Sequence, residues 1–397
     1  MVILRLMGNV GSEPTTRYGQ PSMLRMIIAG LALISFPGAG ATVPGIPSSL
    51  PALSGGLIIT SANNGQTFQN LQISSKTGNC VTISGASNII LQNVAIGPCA
   101  GRGIDISTGN GIHIYDSYIH PEAQSPGCCD NDDGIFVHNG SKNIWIQGNI
   151  IAYGESNIEA LGVASISVVG NFLLNPRGPF PRGQNFQCWK GCNGVTFSNN
   201  YTLSSTDTAK YLYPENQEDS VNFGVSDNIT VQDNFITGGH SRAGCGLIAD
   251  DRANNFQFAG NRLLNSGQCG IGIADGVNQL VTGNKVYNTN TISGGGNVGI
   301  YVWKQYKSAC GPVMISNNTA DEIRPDGTHY GYWKGGGCDP VTLTGNTFSA
   351  AADALLTPTA TVFAPPPIPP QPKNCVATSP YSTNTSLPPC SETTTTH

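Results

Sequence analysis

Eight short runs in this chain end on the same residue, and their recurrence narrows what the chain can fold into. The first four are Ile144-Trp-Ile-Gln-Gly-Asn149, Ile166-Ser-Val-Val-Gly-Asn171, Val195-Thr-Phe-Ser-Asn-Asn200 and Ile229-Thr-Val-Gln-Asp-Asn234. Phe256-Gln-Phe-Ala-Gly-Asn261, Leu280-Val-Thr-Gly-Asn284, Val313-Met-Ile-Ser-Asn-Asn318 and Val341-Thr-Leu-Thr-Gly-Asn346 complete the series. Successive asparagines are 22, 29, 34, 27, 23, 34 and 28 residues apart. Ile89–Ile96 and Ile112–Ile119 extend the pattern upstream in weaker form. Alternation of apolar residues at period two reads as a strand with one buried face. One such strand per fixed interval reads as a solenoid. Helical repeats lack their 3.6-residue period here, and leucine-rich repeats lack their leucine frame. The expectation is an all-β, right-handed parallel β-helix of roughly ten coils, stacked about 4.8 Å apart.

Such coils explain the asparagines as scaffold. Asn tolerates a left-handed backbone at a turn better than any residue but Gly, and stacked amides can form an internal ladder. Only 11% of the chain is charged, against about a quarter in ordinary globular proteins. Fifty glycines fit a fold made of turns rather than helices. Function should then sit in loops that lengthen a coil beyond its base length.

The ends differ from the middle. Arg25 precedes the apolar run Met26–Phe36, and Ala39-Gly40-Ala41 follows as a small-residue cleavage site. Residues 1–41 therefore read as an N-terminal extension and signal peptide, with Met23 an alternative start and the run too short for a membrane anchor. Residues 42–356 form the expected β-helix domain, and 357–397, with the run Ala364–Pro372, a Pro/Thr-rich tail. Twelve cysteines fit a secreted or periplasmic chain. Proximity favours pairing Cys188 with Cys192, Cys245 with Cys269, and Cys375 with Cys390. Twelve basic residues fall within 177–334 and three within 42–176, so an anionic ligand belongs to the second half. Nothing resembles a nucleic-acid patch.

Several stretches could carry chemistry. Arg177, Arg182 and Lys190 sit in a proline-rich insert. Glu218-Asp219 lie in a 34-residue coil, placed to bind a cation or to fix basic groups. Trp189, Trp303 and Trp333 each precede a lysine (Lys190, Lys304, Lys334), which suits an indole against a sugar face with an ammonium beside it. Tyr301 accompanies the second of these. His240 and Arg242 lead into a strand. The phrases Cys245-Gly-Leu-Ile-Ala-Asp-Asp251 and Cys269-Gly-Ile-Gly-Ile-Ala-Asp275 repeat on neighbouring coils. Asp250, Asp251 and Asp275 offer a glycosidase pair, with turn residues as the favoured reading. Asp130-Asn-Asp-Asp133 is a candidate Ca2+ site or a surface turn, and the sequence requires no cofactor.

Taken in order, five stretches resemble one known group. They are Gly178-Pro-Phe-Pro-Arg-Gly-Gln184, Glu218-Asp219 with Asn222, and Gly238-Gly239 with Gly244-Cys-Gly246. Gly267-Gln-Cys-Gly-Ile-Gly-Ile-Ala274 and Asn297-Val-Gly-Ile-Tyr-Val-Trp303 follow. Over 130–350 the chain is similar to secreted bacterial β-helix proteins of polysaccharide lyase family 31, which act on alginate or glucuronan. That resemblance implies β-elimination on an acidic polysaccharide. It implies Lys190 as base, Arg182 as carboxylate clamp, and Arg242 or His240 as helper. The family's arginine after the strand is replaced by Thr237. A glycoside hydrolase and a non-catalytic carbohydrate-binding or surface protein are the alternatives.

Overall fold

The computed structural model describes residues 51–121, 132–178, 180–204, 217–239, 241, 243–289, 298–357 and 361–363. Three parallel sheets of twelve, eleven and eleven strands run the length of the described residues, every strand pairing with those one coil away. The first sheet runs from Ala52–Ser54 to Thr347–Phe348, the second from Leu57–Thr60 to Tyr332–Lys334, the third from Thr67–Gln69 to Val341–Thr344. Each coil contributes one strand to each sheet in turn, which is a right-handed parallel β-helix. The asparagine-ending runs are the third-sheet strands. Apart from the two repeated phrases, the second-sheet strands carry no such signature, because many are buried on both faces, which blurs the alternation.

The ladder exists. Asn149 donates its side-chain amide to Asn171 Oδ1 at 3.0 Å, and Asn171 to Asn200 at 3.0 Å. The chain of bonds continues through Asn234, Asn261, Asn284 and Asn318 to Asn346 at 2.9 to 3.1 Å. Each ladder amide also donates to a strand carbonyl, as Asn234 does to Phe197 at 2.9 Å. The left-handed backbone is elsewhere than expected. It belongs to the residue before each ladder asparagine: Gly148, Gly170, Asn199, Asp233, Gly260, Gly283, Asn317 and Gly345. The turn is thus made by one residue, and the next points its amide inward.

Apolar side chains from all three sheets fill the axis. Phe186 stacks between Phe197 and Phe223, at 5.1 and 5.6 Å, and Phe223 meets Phe258 at 6.1 Å. Disulfides join Cys188–Cys192 and Cys245–Cys269 as expected, and also Cys80–Cys99 and Cys310–Cys338. Cys375 and Cys390 lie outside the described residues. After the last strand, the described residues up to 357 and 361–363 lie against the first sheet. A short helix, Ala350–Leu356, buries Ala352 and Leu356, and Phe363 packs against Phe235 and Tyr287 on the first sheet. The outer face of that sheet is too apolar to remain uncovered.

Replacing Asn234 by Ala removes the acceptor for both the backbone N–H and the side chain of Asn200. Two buried donors then lose partners, and urea unfolding should show a loss of about 2–4 kcal/mol. The exposed Gln257→Ala on the same sheet should stay within about 0.5 kcal/mol of the parent.

Candidate active site

Strand register brings one outward column of the second sheet into line: Asn222, Ile248, Gly272, Tyr301 and Trp333 on successive coils. A cavity of about 530 Å³ opens over it, within the usual range for ligand pockets. One wall is acidic, with Glu218, Asp219 and Asp250. The floor is apolar, with Ile248, Cys269 and Val298. Aromatic rings close the far side: Tyr301, Trp303, Tyr306, Tyr330 and Trp333, with Arg324 laid over the Tyr330 ring at 3.7 Å.

Glycine makes this shape. A Cβ at Gly272 would fall 2.7 to 2.8 Å from the Tyr301 ring, so the phenol can lie flat only where no side chain stands beneath it. Gly335 seats Trp303 in the same way. Trp303 and Trp333 meet edge to face, with centroids 5.8 Å apart, and remain 45% and 36% exposed. Exposed indoles at a cavity mouth are what an apolar sugar face needs.

The acidic wall is tightly connected. The Asn222 amide donates to both Asp219, at 2.7 Å, and Asp250, at 3.3 Å. Asp219 also accepts the Cys245 N–H at 2.6 Å. Gln184 donates to Glu218 at 2.9 Å, and the Tyr306 phenol stands close enough to Asp250 to favour its ionised form. Burial and the neighbouring Asp250 charge push the Glu218 carboxyl up to about 7. Burial, reinforced by Glu218 and Asp250, drives Asp219 well above its ordinary value. Burial raises Asp250 as well, while the Tyr306 and Asn222 hydrogen bonds oppose the rise.

The two repeated phrases part company here. Register pairs Cys245 with Cys269, Ile248 with Gly272 and Ala249 with Ile273. Asp250 therefore stands level with Ala274, and Asp275 is one residue beyond it. A one-residue offset in a strand reverses the side chain's face. Asp250 lines the cavity; Asp275 is fully buried and accepts backbone N–H groups of Gly276 and Ser308, at 2.7 and 3.1 Å. Asp275 lies in a bend, whereas Asp250 both opens a turn, its carbonyl accepting the Ala253 N–H at 3.3 Å, and lines the cavity. Asp251 takes part in the turn after its strand and does not line the cavity.

Other sequence candidates are dispersed. Lys190 is exposed, holds a left-handed backbone and is not part of the cavity wall. Arg182 lies 3.5 Å from Glu159 and close enough to Glu218 to oppose the rise of its pKa. Arg177 pairs with Asp132, and Arg102 with Asp133 and Asp105. Asp132 and Asp133 of the calcium candidate are thus engaged by arginines, while Asp130 lies outside the described residues. No metal-binding cluster occurs among the described residues. Lys334 forms an exposed pair with Asp339 at 2.7 Å, and the Lys304 stem lies against Gly337. His240 and Arg242 lie outside the described residues. Tyr306, Gln268, Gln305, Arg324 and Tyr330 were missed; no spacing marks them, because loops deliver them.

No family model matches this chain, and no curated protein matches its sequence. Solved structures share its fold. The Dettilon tailspike protein superposes with a TM-score of 0.51 at 14% identity, covering 75% of this chain and 61% of the tailspike. This chain thus matches about three fifths of the tailspike's length. A DFA-IIIase from Arthrobacter chlorophenolicus A6, solved with DFA-III, gives 0.47 at 13% identity over 74% of this chain and 82% of its own. The Streptococcus pneumoniae surface protein and adhesin PfbA gives 0.46 at 10% identity, over 75% and 82%. The tailspike likeness establishes the parallel β-helix and nothing finer.

Buried carboxylates with raised pKa values set the pH dependence of stability. Burial outweighs Arg102 at Asp133, at about 6, and likewise raises Glu218 to about 7 and Glu322 to about 8. Between about pH 4.5 and 8 the folded chain therefore binds more protons than the unfolded chain, and stability falls as pH rises. Thermal unfolding should show a higher Tm near pH 5 than near pH 8. Glu218→Gln should flatten part of that slope.

Proposed function

We propose that this chain is a polysaccharide-active protein that hydrolyses glycosidic bonds at the Glu218–Asp250 cavity. The observation that carries the reading is one acidic wall facing one aromatic wall. Hydrolysis requires a protonated carboxyl to donate to the leaving oxygen and an ionised carboxylate to activate water or attack the sugar. Glu218, held up to about 7, retains its proton in mildly acidic solution. Asp250, which accepts from Asn222 and has the Tyr306 phenol beside it, is the better-supported carboxylate. Two carboxyls in unlike surroundings are the usual means of dividing acid from base. Asp219 shares the Asn222 amide with Asp250, and its burial disfavours a second negative charge there. Trp303 and Trp333 would seat the adjoining sugar.

Arg324 in the cavity wall favours an acidic polymer and keeps lyase chemistry as a second reading. In β-elimination the cation would meet the uronate carboxylate while a nearby base removed the C5 proton. Lys190 does not line the cavity, so in this reading the base is sought among the groups that do. Four disulfides among the described residues suit an oxidising, extracytoplasmic setting. No described helix is long and apolar enough to cross a membrane.

Incubation with alginate, glucuronan, pectate and neutral glucans should release reducing ends without the absorbance of an unsaturated product. Growing absorbance would instead establish the lyase. Glu218→Gln and Asp250→Asn should each lower kcat about 100-fold or more, and Lys190→Ala should leave it unchanged. Activity should decline as pH passes about 7 and Glu218 loses its proton.

A further inference from the structure

The repeated phrase leaves Asp275 outside this chemistry, yet it is a fully buried carboxylate with two well-made hydrogen bonds. We propose that Asp275 is a positioning residue that fixes the loop 303–312 so that the Tyr306 phenol stays beside Asp250 in the cavity wall. The proposal rests on the role of Asp250 in the hydrolytic reading, and it adds how the fold holds that group ready.

The loop is tied to the strand end 273–276 rung by rung. Trp303 N–H donates to Ile273 O at 2.9 Å, and Gln305 N–H to Ala274 O at 2.8 Å. Ser308 N–H donates to Asp275 Oδ2 at 3.1 Å, while Asp275 Oδ1 holds Gly276 N–H at 2.7 Å. Gly276 N–H then reaches Ala309 O at 3.1 Å, and the Cys310–Cys338 disulfide closes the far side. Between the ties at Gln305 and Ser308 lie only Tyr306 and Lys307. Tyr306 is 39% exposed, so packing alone does not fix its ring. Backbone placement does, and Ser308 is the nearest anchor on the C-terminal side.

The consequence falls on Asp250. Asn222, Tyr306, Glu218, Asp219 and Asp251 are the polar and charged groups that act on it. Burial and the Asp251 charge disfavour its ionised form, and the Tyr306 phenol and the Asn222 amide support it. Loss of the phenol leaves one side-chain donor against burial and the Asp251 charge. The Asp275 side chain thereby acts on Asp250 through a loop, without touching the cavity.

Carboxyl-carbon NMR of the full chain tests this without substrate, with the Asp250 resonance identified by its absence in Asp250→Asn. Tyr306→Phe should shift the Asp250 titration upward by about one pH unit. Asp275→Ala should reproduce that shift, and the double variant should shift it no further. Asp275→Asn keeps one acceptor, retains the fold more readily, and should give a smaller shift in the same direction. The proposal is overturned if Asp250 titrates as in the parent in both Asp275 variants, or if the two shifts add. The expected coupling in a chain that cleaves no glycan would uphold the proposal and remove the hydrolytic reading alone.

Discussion

Each ladder asparagine must satisfy the coil above and the coil below at once. Its oxygen accepts from one neighbour's backbone and side chain, and its amide donates to the next neighbour and to a strand carbonyl. An amide buried at these turns has no water to fall back on, so a coil that slipped by one residue would leave several polar groups unpaired. The ladder therefore locks every coil to the same vertical register. Strand pairing alone would not do so as firmly, because parallel strands tolerate displacement where the side chains along them are similar.

That register is what allows a site to be assembled from distant sequence. Asn222, Ile248, Gly272, Tyr301 and Trp333 are spread over more than a hundred residues, yet they form one straight column. Chemistry is distributed by position along it. Carboxylates gather where Asn222 can bridge two of them, and indoles gather where Gly335 leaves space. The disulfide between Cys245 and Cys269 pins the two coils between them, and its second cysteine forms part of the cavity floor.

The fold was legible because its period is carried by residues with no alternative use. A buried asparagine at each third-sheet turn has only the ladder to serve. The location of the cavity was less legible. Trp303 and Trp333 were recognised, and they do meet on neighbouring coils. Glu218 and Asp219 were noticed as a carboxylate pair, but nothing in sequence places them beside Asp250, since the separation along the chain hides a single step across the sheet. Lys190 drew attention through its neighbours in sequence, and its left-handed backbone instead ends a strand at the surface. Asp250 and Asp275 looked equivalent because the eye aligns Ile-Ala-Asp with Ile-Ala-Asp, whereas hydrogen bonds align Cys-Gly with Cys-Gly.

The single extra residue between those two alignments has a wider meaning. Gly272 is the insertion: it seats Tyr301 and also advances the following aspartate by one position. One small residue thus turns a copied phrase from a cavity wall into a buried anchor. Sequence comparisons among such solenoids that score phrase against phrase will equate these two aspartates, and will transfer a role from one to the other in error. Comparison by rung, counted from the disulfide or from the ladder asparagine, keeps them apart.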